Sequence, residues 1–174
     1  MSQVPFTVIG VVRTSRTQSE HTPVQAALNR DEEGVIEIDD RFVDGLDGLE
    51  AFDYAWLLTW LDRKSAGEDE REVLKQTPFL LRPSQRKIGI FATRGPRRVN
   101  PVGLSLVELV KVAGTTVRFR GVDLLDGTPV IDLKPYVGRF DRPPGDPSCG
   151  WFDEVSINDG VTPANLAEQS DPPC

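Results

Sequence analysis

The chain has 174 residues, 39% hydrophobic and 27% charged, with 15 Gly and 14 Pro but only 7% aromatics. That length can bury one core, and the turn-forming share suits short strands better than a helical bundle. A net charge of -7 argues against a purely electrostatic nucleic-acid binder, while two cysteines and one histidine give no C-x-x-C zinc pattern and a poor stock for a catalytic triad. Residues 6–13 (FTVIGVVR) predict a first strand, followed by a polar, irregular stretch over 14–34. VIEI at 35–38 is β-like, and Asp39 or Asp40 can cap one helical turn through RFVDGL, closing near Gly45. YAWLLTWL at 54–61 is a continuous apolar run of strand length, expected to be buried on both faces.

A hydrophilic excursion over 62–75 follows, a surface helix or a loop, and then a second apolar run, IGIFAT at 88–93, also expected to be buried. LSLVELVKV at 104–112 fits either period, but its β-branched residues and the Gly-Thr-Thr turn after it favour a strand. TVRFRGVD at 116–123 alternates cleanly, Val117 and Phe119 on one face and Arg118 and Arg120 on the other. VIDLKPY at 130–136 completes the set. About seven short strands, with one or two short helices, predict a mainly β, antiparallel barrel or sandwich. Beyond Arg142 the composition shifts to six prolines, six acids and no Lys or Arg, so residues 1–142 read as one domain and 143–174 as an extended C-terminal arm. No run reaches the length of a membrane helix and no basic-then-apolar leader opens the chain, so a soluble, cytoplasmic location is expected.

The net charge hides an uneven distribution. Residues 82–122 carry nine Lys/Arg and one acid, a balance of +8, against 11 basic and 26 acidic residues elsewhere, a balance of -15. The basic stretch contains Phe91-Ala92-Thr93-Arg94-Gly95-Pro96-Arg97-Arg98-Val99-Asn100-Pro101, a proline-stiffened turn that displays polar groups at a strand end. Asp126-Gly127 between two strand-like runs reads as a hairpin turn. Asp132 and Lys134 fall on one face of a strand, where an ion pair is the simplest account. His21 reads as a surface residue, Trp56 and Trp60 as core, and Cys149 and Cys174 as too far apart for a redox pair. Neither a phosphate loop nor a G-x-G-x-x-G fingerprint is present.

Five strings together carry a resemblance: IGVVRT (9–14), TPVQ (22–25), GLEAFDYAWLL (48–58), IFATRGPRRVNPVGLSLVEL (90–109) and GVDLLDGTPVIDLKPY (121–136). They resemble the tRNA methyltransferase O family, also called TsaA-like, over about residues 6–142. The resemblance implies an S-adenosylmethionine-dependent methyltransferase on a β-barrel, a homodimer with the cofactor near the subunit interface. Matched by motif, the cofactor contacts are Pro23, Val24, Gln25, Asp62, Arg63, Arg94, Leu104, Leu124, Leu125, Asp126 and Gly127. Arg94 or Arg63 would meet the methionine carboxylate, and backbone groups of 124–127 the adenine or methionine ends.

The family's activity is N6-methylation of threonylcarbamoyl-adenosine next to the tRNA anticodon. A delocalised N6 lone pair needs in-line placement and an acceptor for its proton, so Asp126 and Asp132 are the carboxylate candidates, with Asn100 or Tyr136 to orient the nucleophile. Arg97, Arg98 and Lys134 are the candidate substrate contacts. The chain departs from the family at Tyr54, where His is frequent, at Asp62-Arg63, where His-Arg or His-Gln is usual, and at Val99, which replaces a proline. The RNA-contacting C-terminal domain of bacterial members has no counterpart in the acidic arm. Two readings follow: a tRNA methyltransferase holding RNA through 82–122, or a methyltransferase of the same barrel acting on a small metabolite. A third, a cofactor-binding module without turnover, ranks behind both.

Overall fold

In the computed structural model, which describes residues 4–61, 74–158 and 160–165, six strands curl into one closed antiparallel barrel. They are β1 (Gly10–Arg13), β2 (Glu33–Ile38), β3 (Tyr54–Trp60), β6 (Val102–Ala113), β7 (Thr116–Arg120) and β8 (Pro129–Pro135), in the order β1-β2-β7-β6-β3-β8. Two further strands, β4 (Lys75–Gln76) and β5 (Ile88–Gly89), pair only with each other outside the barrel. Closure leaves the barrel without a free edge, which an open sheet otherwise has to protect. Among the described residues the single α-helix, α1 (Gly138–Asp141), is one turn long, and the other helical pieces are 3-10 turns. The longest of these, Asp40–Leu46, is capped by Asp39, whose carboxylate accepts from the Arg41 amide at 3.0 Å. The Arg41 guanidinium bonds the same carboxylate and holds it down at about 2.

Alternation decides what fills the barrel. Val12, Ile36, Leu57, Val107, Val117, Phe119 and Val130 are fully buried, each on the inward parity of its strand. Phe119 lies over Gly34, its register partner on β2, where a Cβ would come within 2.6 Å of the ring. Arg118 and Arg120 face outward as expected, and both reach Glu33, at 2.5 and 3.1 Å, while Arg120 also reaches Glu108 at 3.3 Å. Arg86 pairs with Glu154 as well, so at least three of the nine basic residues of that stretch are neutralised locally.

Three expectations need correction. The apolar run 54–61 is not buried on both faces: Ala55, Leu57 and Thr59 are buried, whereas Trp56, Leu58 and Trp60 are half-buried and Tyr54 is exposed. IGIFAT is not a buried strand, because after β5 it bends into a 3-10 turn, Ile90–Ala92, that leaves Phe91 82% exposed. Nor is Asp126-Gly127 a hairpin turn. The segment 121–128 joins β7 to β8, which are not neighbours in the barrel, so it crosses the barrel mouth instead. Most of the 62–75 excursion lies outside the described residues.

Antiparallel pairing gathers the connections 14–32, 61–101 and 121–128 at one end of the barrel. The arm returns to that end. Trp151 is buried with Leu80 and Leu81, and its Nε1 donates to the Ala92 carbonyl at 2.7 Å. Further on, the Val161 carbonyl accepts from the Val24 amide at 3.2 Å, and Gly160 and Ala164 donate to the carbonyls of Leu28 and Glu20. The arm thus braces the outside of the 20–28 loop.

Candidate functional site

At the end where those three connections meet, Arg94 is the hinge of the arrangement. Its Nε donates to Gln25 Oε1 at 2.7 Å and one terminal nitrogen donates to the Leu104 carbonyl at 3.3 Å. Pro23-Val24-Gln25 come from loop 14–32, and Arg94 and Leu104 from the loop before β6 and from the start of β6, so the strings TPVQ and IFATRGPRRVNPVGLSLVEL are joined by one guanidinium. Of its five N–H donors, two are used in this way and three remain.

The segment 124–127 is sewn to the end of β1. The Asp126 amide donates to Arg16 at 2.7 Å, the Gly127 amide to Val12 at 2.9 Å, and Thr14 Oγ1 to the Leu124 carbonyl at 3.1 Å. The Thr128 amide closes the turn onto the Leu125 carbonyl, with Gly127 at φ 78, a left-handed conformation that favours glycine. The Asp126 and Gly127 amides are therefore committed to the fold. Those of Leu124 and Leu125 have no partner among the described residues.

The other expected residues separate into two groups. Asn100 is exposed in the loop before β6, where its carbonyl accepts from the Val102 amide. Arg97 lies in the same loop, and Arg98 turns inward, its guanidinium donating to the carbonyls of Ile90 and Thr93 at 3.0 and 2.7 Å. Asp132 and Lys134 form the expected ion pair, at 2.8 Å, on the outer face of β8. Asp132 also lines an open depression of about 370 Å³ with Ile9, Phe42 and Leu133. Tyr136 follows the far end of β8, edge-on to Trp56 at 6.0 Å. The seven residues of β8 span roughly 23 Å at β-strand rise, so Tyr136 and Asp126 cannot act on one nucleophile within a single chain. Asp62 and Arg63 lie outside the described residues.

Two site residues, Asp123 and Ser105, were missed by the sequence reading. Asp123 accepts from Ser105 Oγ at 2.8 Å through one oxygen and from the Ala26 amide at 3.0 Å through the other. Burial pushes its carboxyl up to about 6, against these hydrogen bonds and the nearby charge of Arg94. A signal was available on the predicted strand 116–123, where Asp123 shares the parity of Val117 and Phe119, although β7 itself ends at Arg120.

This is the setting in which comparisons with known proteins can be placed. The sequence model of the tRNA-methyltransferase O N-terminal domain matches residues 11–142. The chain belongs to that family. A protein of Archaeoglobus fulgidus, named "Probable S-adenosyl-L-methionine-binding protein", is 36% identical over 162 residues, covering 93% of this chain and 42% of its own length. A mouse protein named tRNA (adenine(37)-N6)-methyltransferase is 42% identical over 96 residues, 55% of this chain and 21% of its own. The crystal structure of TrmO from Pseudomonas aeruginosa superposes with a TM-score of 0.67 at 30% identity, covering 86% of this chain and 62% of that one. The chain thus spans less than two thirds of each of these relatives. The closed six-strand barrel superposes on that TrmO structure, and the match to the family model ends at residue 142. Among the described residues no helix is long and apolar enough to cross a membrane, and no cluster of three metal-ligating side chains occurs.

Proposed function

We propose that the chain is an S-adenosylmethionine-dependent methyltransferase that modifies N6 of threonylcarbamoyl-adenosine beside the tRNA anticodon. The observation that carries this reading is the joining of Gln25, Arg94 and Leu104 at the barrel end that also holds 124–127. The residues suit the cofactor: Arg94 retains three N–H donors for a carboxylate, and the Leu124 and Leu125 amides can serve its polar ends. Bound there, S-adenosylmethionine supplies an electrophilic sulfonium methyl. The mouse relative's name and the family model's description support tRNA as the acceptor.

The chain's own residues then have separable tasks. Gln25 orients the Arg94 fork, and the Pro23-Val24 backbone, braced by Val161, holds that loop in place. Asp126 is exposed at the turn with Arg13 at 3.9 Å, and is the carboxylate positioned at this end to accept a proton. Arg97 and Arg98 are the candidate phosphate contacts, placed in the loop that leads into β6 at this end. The test is mass spectrometry of tRNA from a strain lacking this chain. Loss of the methyl group from threonylcarbamoyl-adenosine is expected, with restoration by the intact gene; an unchanged nucleoside profile refutes the tRNA reading.

A homodimer in the cytoplasm completes the proposal. The outer face of β3 and β6 aligns Trp56 with Leu106 and Leu58 with Leu104, and Tyr54, Leu104 and Leu106 are exposed. A second copy covering this face would bury it beside Arg94. Leu106→Glu is expected to raise the dimer dissociation constant at least about tenfold in sedimentation experiments. An unshifted equilibrium places the interface elsewhere.

A further inference from the structure

Loops that hold a cofactor need an internal anchor, and a carboxylate without a cation at contact distance is an expensive one to keep. Asp123 is such a group. Ion pairs recorded among the described residues do not include it, and its two oxygens are taken by Ser105 on β6 and by the Ala26 amide, directly after Pro23-Val24-Gln25. Ala26 is itself seated on Gly121, where an added Cβ would stand 3.3 Å from the Ala26 Cβ. Gly121 has φ 94, so a side chain there would be strained as well as crowded. Asp123 also leads directly into Leu124-Leu125-Asp126-Gly127. One carboxylate therefore links the two loops assigned to the cofactor and the strand start that carries Leu104.

We propose that Asp123 is a positioning residue of the cofactor site, its ionised carboxylate clamping the 23–26 loop and Ser105 so that Gln25 can hold Arg94. The proposal rests on the cofactor reading above. Its consequence is a pH-dependent clamp. Arg94 is the charged group that acts on Asp123, while the 22–28 loop and β6 face it with the Ala26 amide and the Ser105 hydroxyl. Protonation removes the attraction to Arg94 and converts one oxygen from acceptor to donor, which slackens the clamp as pH falls through about 6. The sign for stability is opposite. A carboxyl raised from 3.8 to about 6 binds its proton more tightly in the folded chain, so ionisation costs stability as pH rises across that window.

The two signs separate positioning from a merely structural role. In the intact chain, S-adenosylmethionine affinity, read by calorimetry, is expected to fall at least severalfold between pH 7 and pH 5. The ligand's own α-carboxyl and α-amino groups titrate below and above this interval respectively. Imidazole as a chemical group titrates within it, so the profile is repeated with His21→Gln, which leaves it unchanged. Asp123→Asn, able to keep both hydrogen bonds by turning its amide, is expected to melt at or above the parent temperature at pH 7. It should nevertheless bind S-adenosylmethionine at least severalfold more weakly, with a flat profile between pH 5 and 7. Asp123→Ala, which loses both bonds, should bind more weakly still. Parental affinity and a parental pH profile in Asp123→Asn overturn the clamp while leaving the cofactor reading intact. Absence of binding in the parent chain instead overturns the cofactor reading beneath it.

Discussion

Arg94→Ala is expected to weaken S-adenosylmethionine binding by about 10- to 100-fold, the effect of losing a charge-assisted contact worth roughly 1.5–3 kcal/mol. The expectation follows from where the guanidinium is held. Gln25 and Leu104 fix two of its N–H groups, which leaves a pre-oriented fork and spares a ligand the entropy of ordering it. Arg94→Lys should recover little, because an ammonium cannot bond Gln25, Leu104 and a carboxylate in one plane. Gln25→Ala should weaken binding less, and combining it with Arg94→Ala should add almost nothing. Independent, additive losses would show that Gln25 does not act through Arg94. Equal affinity in Arg94→Ala would remove the residue from the site.

Phe119→Ala is expected to destabilise the barrel by about 3–5 kcal/mol, a large share of the roughly 5–15 kcal/mol available to a domain. Phe119 is fully buried, and its ring covers Gly34, so truncation leaves a cavity that the closed backbone cannot collapse around. In urea the midpoint should fall while the slope stays constant. Gly34→Ala approaches the same contact from the other side, placing a methyl against the ring, and should cost about 1–3 kcal/mol. Phe119→Leu combined with Gly34→Ala should cost less than the sum of the two single changes, because each relieves the other. Strict additivity would mean that the two residues do not share the contact.

Strand character was the most legible part of the fold. TVRFR alternates on period two and forms β7 with Val117 and Phe119 inward, and Asp39 caps the predicted helical turn. Closure itself was not visible from period or composition, because it depends on β1 pairing with β8 across almost the whole chain. The misread Asp126-Gly127 turn has the same origin. A glycine at positive φ satisfies local turn chemistry whether the flanking strands pair or not, and only the strand order excludes a hairpin. Trp56 and Leu58 on an outer face defeated the rule that a continuous apolar run is buried twice, and it is this face that a second subunit would cover.

The motif strings named most of the residues at the loop end, but they did not supply the links among them. Nothing in FATRGPRRVNP indicates that Arg98 turns back onto the carbonyls of Ile90 and Thr93 while Arg94 reaches Gln25, 69 positions away. Asp123 was overlooked because GVD reads as the tail of a strand, whereas β7 ends at Arg120 and Gly121, at φ 94, breaks the alternation. The charge count needs a similar refinement. The +8 balance over 82–122 is a sum along the sequence, and pairing with Glu33, Glu108 and Glu154 takes Arg118, Arg120 and Arg86 out of it.

The central claim is that the barrel end carrying loops 14–32, 61–101 and 121–128 binds S-adenosylmethionine, and amide hydrogen exchange of the intact protein with and without that ligand tests it most directly. Slowed exchange is predicted over 22–28, 93–98 and 122–127, with none at the opposite end around 39–53 and Gly114. No slowing at saturating ligand, or slowing confined to the opposite end, would contradict the account.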